Sequence, residues 1–244
     1  MRLRATLIAM PLRVTPQRIL VSPDCEVSAL LAVPSAAIAC LVFAHGAGAG
    51  MTHPFIEDLA AALAERNLAT LRFQFPYMEQ GSKRPDRPAV AHAAVRAAVN
   101  FASAALPNVP LFAGGKSFGA RMTSQAQAES PLEPVRGLVF VGFPLHPAGK
   151  PSAERARHLA QVRLPMLFLQ GTRDALADLS LMTSCVASLA DRAHLQVVEG
   201  ADHAFHVLAR SGRTDQDVME ELAAGIERWI LQRSFPVGGS SPGP

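Results

Sequence analysis

The sequence has little charge and few aromatic residues, and both shortages argue against nucleic-acid binding. Charged residues make up 18% of the 244 residues, and the 23 lysines and arginines exceed the 20 aspartates and glutamates by only +3. A surplus this small provides no extended basic surface for a phosphate backbone. Aromatic residues make up only 6%, which leaves few rings for stacking on bases. We therefore expect no nucleic-acid partner.

Cysteine is also scarce. The three cysteines, Cys25, Cys40 and Cys185, are far apart in the chain and form no CxxC or Cys/His metal motif. This usage favours a reducing compartment with free thiols over a disulfide framework. The eight histidines include no HExxH or similar spacing, so we expect neither a metal nor a cofactor.

No apolar run approaches the ~18 residues that a membrane span needs. After Arg2 and Arg4, residues 5–10 form a short apolar run, but Pro11 and Arg13 end it below the ~7–15 residues of a signal-peptide core. The sequence therefore predicts a cytoplasmic protein without a membrane partner.

Apolar residues, by contrast, are abundant at 49% of the chain, enough to build a large core. The length favours one domain, which we place at residues 1–233. The Gly-, Ser- and Pro-rich residues 234–244 predict a disordered tail. Apolar runs alternate with amphipathic stretches. Strands are predicted at 27–33 and 38–44, joined by a turn, and at 68–73, 109–113, 137–141, 166–170 and 194–198. Helices are predicted at 54–66, 89–106, about 118–129, 178–190 and 214–232, and a loop at 74–88.

This alternation predicts an α/β fold with a mostly parallel sheet and helices on both faces. Active sites in such sheets lie beyond the carboxyl ends of the strands. One of these ends carries Gly115-Lys116-Ser117-Phe118-Gly119, a G-x-S-x-G pattern between an apolar strand and a helix. Glycines two positions before and after a serine leave room for the tight turn that exposes a nucleophile. The pattern predicts that Ser117 is the nucleophile of a hydrolase.

A serine nucleophile needs a base and a group that orients the base. Asp174 and His203 each follow a later predicted strand, in the order Ser, Asp, His that an elbow-type triad requires. Asp178, Asp191 and Asp202 compete with Asp174 for the orienting role, although Asp178 has the position of a helix N-cap. His206 is the main rival of His203. We predict Asp174 and His203.

The oxyanion of an acyl-transfer reaction needs preorganised amide donors. We predict the amide of Phe118, directly after the nucleophile, and that of Ala47, within the small-residue turn H-G-A-G-A-G. The competing interpretation is a phosphate-binding loop. It is disfavoured because Pro110 replaces the first glycine of a G-x-x-x-x-G-K-S pattern and H-G-A-G-A-G is not G-x-G-x-x-G.

The segments FAHGAGAG, GGKSFGAR, LQGTRD and GADHAF resemble those of the α/β-hydrolase superfamily. They are most similar to a branch of small bacterial hydrolases that are like dienelactone hydrolases and carry a GGKSxGGR-type nucleophile elbow. The resemblance spans about residues 27–232 and implies an α/β-hydrolase fold with little or no lid. Ala120 stands where the branch has glycine, which we expect to alter helix packing without removing the nucleophile.

Carried over position by position, the resemblance implies the same roles: Ser117 as nucleophile, Asp174 as acid, His203 as base, and Phe118 and Ala47 as the oxyanion hole. We therefore expect a serine hydrolase that cleaves an ester or related acyl bond through an acyl-enzyme. The connection of about 24 residues between the strands ending near 141 and starting near 166 is short for a lid, which favours a small soluble acyl substrate.

Several assignments stay open at this level. The same triad permits thioester, lactone or peptide cleavage, and a non-catalytic binding or scaffold protein can keep the fold. Lys116 either attracts an anionic substrate or pairs with a carboxylate such as Glu79, and we favour the pairing. Six apolar residues can line an acyl pocket or belong to the core: Met51, Phe55, Phe118, Phe143, Leu145 and Phe205.

Overall fold

An eight-stranded sheet with strand order β1-β2-β4-β3-β5-β6-β7-β8 organises the computed structural model of the chain, which describes residues 12–234. The strands are β1 (Arg13–Ser22), β2 (Cys25–Val33), β3 (Ala39–Ala44), β4 (Leu68–Phe73), β5 (Leu111–Lys116), β6 (Val135–Val141), β7 (Met166–Gly171) and β8 (Ala193–Val198). Strands β3 to β8 pair in parallel, whereas β2 pairs antiparallel with both β1 and β4. The mostly parallel sheet predicted from the sequence is confirmed.

In the described part of the chain, six α-helices connect and cover the strands. They are α1 (Pro54–Ala64), α2 (Pro76–Glu79), α3 (Pro88–Ala105), α4 (Phe118–Glu129), α5 (Leu179–Ser188) and α6 (Asp215–Ser234). Three of them begin with proline, whose fixed φ suits the first helical position and whose missing N–H would have no partner there. Within residues 12–234, no helix is long and apolar enough to cross a bilayer.

The core has two halves because side chains alternate across the sheet. On β3, Leu41 and Phe43 pack into the half that α1 and α6 cover, whereas Cys40 and Val42 face the half that α3, α4 and α5 cover. Helices therefore lie on both faces, as predicted. The connection between β6 and β7 contains only a 3₁₀ helix, Glu154–Gln161, so no lid domain covers the sheet edge.

The local structure differs from the prediction at the loop and at β1. The predicted loop at 74–88 contains the short helix α2, and β1, for which the sequence predicts no strand, precedes β2. Strands β2 and β3, predicted to be joined by a turn, are not neighbours in the sheet, because β4 lies between them. Ser234, where the predicted tail begins, is the buried last residue of α6. Residues 235–244 and the apolar run at 5–10 lie outside the described residues.

Candidate active site

Ser117 lies on a strained turn between β5 and α4. Its φ of 53° and ψ of −111° are unusual for a residue with a side chain. The turn is held by neighbouring backbone, since the Ser117 amide donates to the Val141 carbonyl at 3.1 Å and the Ser117 carbonyl accepts from the amide of Arg121 at 3.2 Å. The fold therefore keeps the serine in a conformation that it would not adopt freely.

The glycines that flank Ser117 are required for close packing. A Cβ on either Gly115 or Gly119 would collide with the Ala44 carbonyl at the end of β3. The two glycines thus allow the elbow to press against β3, which brings the turn after β3 next to the serine. Ala120, which follows Gly119, is fully buried in the core.

Asp174, His203 and Ser117 form a continuous chain of hydrogen bonds. The carboxylate Oδ2 of Asp174 accepts from His203 Nδ1 at 2.7 Å, and His203 Nε2 lies 2.9 Å from Ser117 Oγ. A carboxylate on Nδ1 fixes the tautomer that carries its proton there, so Nε2 is free to accept from the serine hydroxyl. The three residues come from the turns after β7, β8 and β5, as the sequence predicted.

The Asp174 carboxylate is buried and fully engaged. Its side chain has 0% exposure, compared with 25% for His203. Oδ2 also accepts from Gln170 Nε2 at 2.5 Å, and Oδ1 accepts from the Leu176 amide at 2.7 Å. These fixed donors hold the carboxylate in one orientation, which in turn fixes the imidazole.

The rival residues have other partners. Asp178 caps α5, because its Oδ1 accepts from the Leu181 amide at 3.0 Å. His206 Nδ1 lies 2.6 Å from Asp215 Oδ2. Asp202 closes its own turn by accepting from the amides of residues 204 and 206. The structure thus joins Asp174, and none of these acids, to His203.

The amides of Phe118 and Ala47 border the nucleophile. Within residues 12–234, neither amide has a hydrogen-bond acceptor in the protein. Phe118 opens α4, where the first amides of a helix have no partner in the helix itself. Ala47 and Ser117 line one cavity, and a methyl group on the adjacent Gly46 would lie 3.8 Å from Ser117 Cβ. Both amides therefore lack a partner in this part of the chain, and they belong to residues on the two turns that meet at Ser117.

His45 anchors the turn that carries Ala47. It is fully buried, its Nδ1 donates to the Gly46 carbonyl at 2.7 Å, and its Nε2 accepts from the Phe75 amide at 3.0 Å. Burial lowers the pKa of His45 to about 4, so the ring is neutral at pH 7. Sequence reasoning missed this role, for which the available signal was a histidine directly after a buried strand.

The segment after β4 supports the same turn. The Gly48 amide donates to Tyr77 Oη at 3.0 Å, and the Met51 amide donates to Gln74 Oε1 at 2.9 Å. Arg72 completes the set by donating to the Met51 carbonyl at 3.1 Å. Hydrogen bonds to residues 72–77 therefore hold the candidate oxyanion turn in place.

Ser117 opens into a cavity of about 670 Å³. Of the six apolar residues proposed for an acyl pocket, only Phe55 and Phe205 line it, whereas Phe143 and Leu145 are fully buried core. The apolar lining residues are Ala47, Ala49, Pro54, Phe55, Ile56, Leu176, Ala204, Phe205, Val218 and Met219. The polar and charged ones are His53, Asp58, Lys116, Ser117, His203, His206, Asp215 and Gln216.

Lys116 does not pair with Glu79, so that prediction is wrong. Glu79 instead pairs with Arg18 at 2.6 Å and accepts from the Ser28 amide at 3.0 Å. Lys116 Nζ donates to the His203 carbonyl at 2.6 Å. The lysine therefore belongs to the site itself.

A second serine–histidine pair occurs away from this cavity. Ser124 Oγ on α4 lies 2.8 Å from His158 Nε2, and the same hydroxyl donates to the Arg121 carbonyl at 2.9 Å. Ser124 is fully buried and lines no cavity near Ser117. In the part of the chain that the structure describes, no group of His, Cys, Asp or Glu residues is arranged to hold a metal ion.

Comparison with known proteins agrees with this fold. Dienelactone hydrolase from Anabaena variabilis superposes with a TM-score of 0.72 at 19% identity, over 91% of this chain and 98% of that one. A serine hydrolase without a lid from Xanthomonas campestris gives 0.68 at 21% identity, over 95% and 99%. The esterase Pf2001 from Pyrococcus furiosus gives 0.73 at 14% identity, over 92% and 94%. At these identities the likeness establishes the fold.

The family follows from the sequence match. Residues 37–231 match the model of an alpha/beta hydrolase domain family, a span that runs from the strand before the Ala47 turn to the end of α6. It includes the three turns that carry Ser117, Asp174 and His203. The chain belongs to the alpha/beta hydrolase domain family.

Proposed function

We propose that the protein is a serine hydrolase that cleaves an ester or related acyl bond of a small substrate. The observation that carries this proposal is the hydrogen-bonded chain from buried Asp174 through His203 to Ser117, with the serine in the lining of a cavity. The esterases and serine hydrolases among the structural neighbours agree with this chemistry, although their low identity adds no substrate information.

The geometry supports a two-step acyl transfer. His203 Nε2 takes the hydroxyl proton as Ser117 Oγ attacks the acyl carbonyl carbon, and Asp174 stabilises the resulting imidazolium. The tetrahedral intermediate collapses when the bond to the leaving group breaks and His203 returns the proton to that group. Water then attacks the acyl-enzyme with His203 again as base, which releases the acid and restores Ser117.

Negative charge develops on the carbonyl oxygen during both attacks. The unpaired amides of Phe118 and Ala47 are the donors that we assign to it. A donor of this kind contributes about 10²- to 10³-fold to the rate in serine hydrolases. Because His45 and Tyr77 hold the Ala47 turn before substrate binds, the donors need no rearrangement during the reaction.

The cavity favours an apolar group next to the scissile bond. Its volume is in the range of ~300–1,000 Å³ that small-molecule sites occupy. The stacked rings of Phe55 and Phe205, with centroids 5.7 Å apart, form one wall, and Val218 and Met219 extend the apolar surface. We therefore propose a small ester, and a panel of p-nitrophenyl esters of increasing chain length with matched thioesters and lactones measures which acyl bond is preferred.

Labelling with a fluorophosphonate separates an enzyme from a scaffold. We expect the native protein and Ser124→Ala to be labelled, because Ser117 is activated in both, and Ser117→Ala to remain unlabelled. A folded native protein that does not react would contradict the catalytic proposal and favour a binding or scaffold role. Labelling that persists in Ser117→Ala would instead assign the nucleophile to another residue.

A further inference from the structure

His146 lies on the short segment that follows β6, and its side chain is buried. Residues 142–146 are all buried, and His146 itself is 3% exposed. The cavity in front of Ser117 is lined by other residues. A buried imidazole is costly unless its ring nitrogens have hydrogen-bond partners, so those partners indicate what the residue does.

Both ring nitrogens of His146 are bonded to backbone groups. Nδ1 lies 2.9 Å from the carbonyl oxygen of Pro147, and Nε2 lies 2.8 Å from the amide nitrogen of Asp178. A carbonyl oxygen can only accept and an amide can only donate, so the proton is on Nδ1 and Nε2 accepts. His146 therefore binds the backbone of Asp178, whose carboxylate caps α5.

The main chain of His146 binds the same segment. Its amide donates to the carbonyl oxygen of Leu176 at 3.0 Å, while its ring accepts from the Asp178 amide. One residue therefore holds both ends of the segment 176–178. The two bonds join the connection after β6 to the turn that carries the candidate acid.

The segment 176–178 in turn holds Asp174. The Leu176 amide donates to Asp174 Oδ1 at 2.7 Å, and the Ala177 amide donates to the Asp174 carbonyl at 3.3 Å. An amide can orient a carboxylate only where its own position is fixed. His146 is thus connected to the Asp174 carboxylate through Leu176.

The other end of the Asp174 turn is attached to the turn of His203. The Arg173 amide donates to the Ala201 carbonyl at 2.9 Å, and Arg173 Nη1 donates to the Gly200 carbonyl at 3.1 Å. These bonds fix the residues before the acid. The residues after it depend on the segment that follows β6.

His45 has the same arrangement at the candidate oxyanion turn. Its Nδ1 donates to the carbonyl of the next residue, Gly46, and its Nε2 accepts from the Phe75 amide. In His45 and His146 alike, the amide that the ring accepts from lies about thirty residues further along the chain, at separations of 30 and 32 residues. A neutral imidazole thus fixes the candidate oxyanion turn on one side and the acid turn on the other.

We propose that His146 is a positioning residue, which keeps the Asp174 carboxylate in the orientation that binds His203 by holding residues 176–178. Its meaning for catalysis rests on the proposed function, whereas its hold on the turn does not. Without the Nε2 acceptor, the Asp178 amide loses its partner and the Leu176 amide is free to move away from Oδ1. Neither Asp174 nor His146 lines the cavity, so the loss falls on kcat and not on KM.

Three substitutions at His146 separate the acceptor from the rest of the ring. Asparagine keeps a donor near the position of Nδ1, phenylalanine removes both polar atoms, and glutamine reaches the position of Nε2 with its amide oxygen. Hydrogen exchange of the Leu176 amide, followed by NMR, reports on the turn without substrate. We expect about tenfold faster exchange in His146→Asn and His146→Phe, and a change within about threefold in His146→Gln.

Kinetics with the preferred p-nitrophenyl ester test the consequence for catalysis. In His146→Asn and His146→Phe, kcat should fall about tenfold with KM within about twofold, and His146→Gln should recover most of the loss. In an Asp174→Asn background, His146→Phe should lower kcat by less than about twofold, because the group through which it acts is gone. His158→Gln is the matched control, since that ring bonds Ser124 and should change neither measurement.

Unchanged Leu176 exchange in the folded Asn or Phe variant would overturn the inference. So would a full tenfold loss of kcat on adding His146→Phe to Asp174→Asn, because a general effect on the fold acts in either background. The polar Asn variant keeps the test possible where the Phe variant does not fold. Since exchange needs no substrate, a failure of fluorophosphonate labelling counts against the proposed function alone, and unchanged exchange against His146 alone.

Discussion

The Ser117–His203 and Ser124–His158 pairs have nearly the same O···N distance but opposite surroundings. Ser117 and His203 are 2.9 Å apart, and Ser124 and His158 are 2.8 Å apart. The first pair has a carboxylate behind the histidine and a cavity in front of the serine. The second lies between α4 and the 3₁₀ helix 154–161, with cationic Arg121 and the ring of His92 acting on His158. Distance alone therefore does not identify a nucleophile.

The groups around each histidine differ as well. In the first pair Asp174 holds the proton of His203 on Nδ1 and leaves Nε2 as acceptor. In the second pair the Ser124 hydroxyl is within hydrogen-bond distance of both the Arg121 carbonyl and His158 Nε2. Within residues 12–234, no carboxylate forms a hydrogen bond or ion pair with His158. The surroundings of the first pair therefore fit the proposed base, whereas those of the second pair lack an orienting acid.

Replacing the two serines one at a time should give the largest difference in activity between the two pairs. Ser117→Ala should lower kcat/KM for a p-nitrophenyl ester by about 10⁵-fold, since the nucleophile is lost. Ser124→Ala should stay within about threefold of the native value and cost about 1 kcal/mol of unfolding free energy, since only buried hydrogen bonds are lost. Steady-state kinetics and urea unfolding of both variants measure this. Equal losses of activity in two folded variants would contradict the assignment.

The orienting acid gives the next largest effect. Asp174→Asn should lower kcat by about 10³- to 10⁴-fold, because an amide in place of the carboxylate no longer holds the correct imidazole tautomer. Asp178→Asn is the matched control, since asparagine caps a helix about as well as aspartate, and should change kcat by less than about twofold. A larger loss in Asp178→Asn than in Asp174→Asn would exchange the two assignments.

The hydrogen bonds that hold the candidate oxyanion turn should have a smaller effect on activity. Tyr77→Phe removes only the acceptor of the Gly48 amide, so kcat/KM should fall about fivefold, which corresponds to roughly 1 kcal/mol for one hydrogen bond. Glu79→Gln breaks the pair with Arg18 at the far end of the same short helix and should leave kcat/KM unchanged. Stopped-flow acylation rates of both variants test this. A loss of activity in Glu79→Gln as large as that in Tyr77→Phe would contradict a role specific to the turn.

The sequence predicted the first pair and not the second for a physical reason. Ser117, Asp174 and His203 each follow a buried strand directly, and glycine spacing marks the elbow, so local signals place all three at one sheet edge. Ser124 and His158 carry no such signal, because they meet only through the packing of two helices whose orientation depends on the whole core.

The same distinction explains the errors elsewhere. β1 contains Pro16 and alternates polar with apolar residues at the sheet edge, which is a weak strand pattern, and its Arg18 is the partner of Glu79. Because the sequence does not predict β1, it does not indicate Arg18 as the partner of Glu79, and Lys116 is predicted to pair with Glu79 instead. The order β2-β4-β3 likewise depends on long-range pairing that no local pattern specifies.

The environment of His158 should affect the unfolding free energy at low pH, and it should have the smallest effect on activity. Burial and the charges of Arg121 and His92 lower the pKa of His158 to about 4, whereas an unfolded histidine titrates near its ordinary 6.5. Between these values the unfolded chain binds more protons, so the unfolding free energy falls as pH decreases from 6.5 to 4.

Replacing His158 should remove its share of this loss without touching catalysis. In His158→Gln we expect the drop in unfolding free energy between pH 7 and pH 5 to shrink by about 1 kcal/mol, allowing for solvent screening at a partly exposed ring, while kcat/KM at pH 7 stays within about twofold. His194→Gln, which removes a histidine from β8, is the control for histidine content. Urea unfolding at the two pH values is the measurement. The buried ring of His45 has the same low pKa but holds the Ala47 turn, so its protonation should lower activity and stability together. A loss of activity in His158→Gln would instead show that the Ser124–His158 pair is coupled to the Ser117–His203 pair.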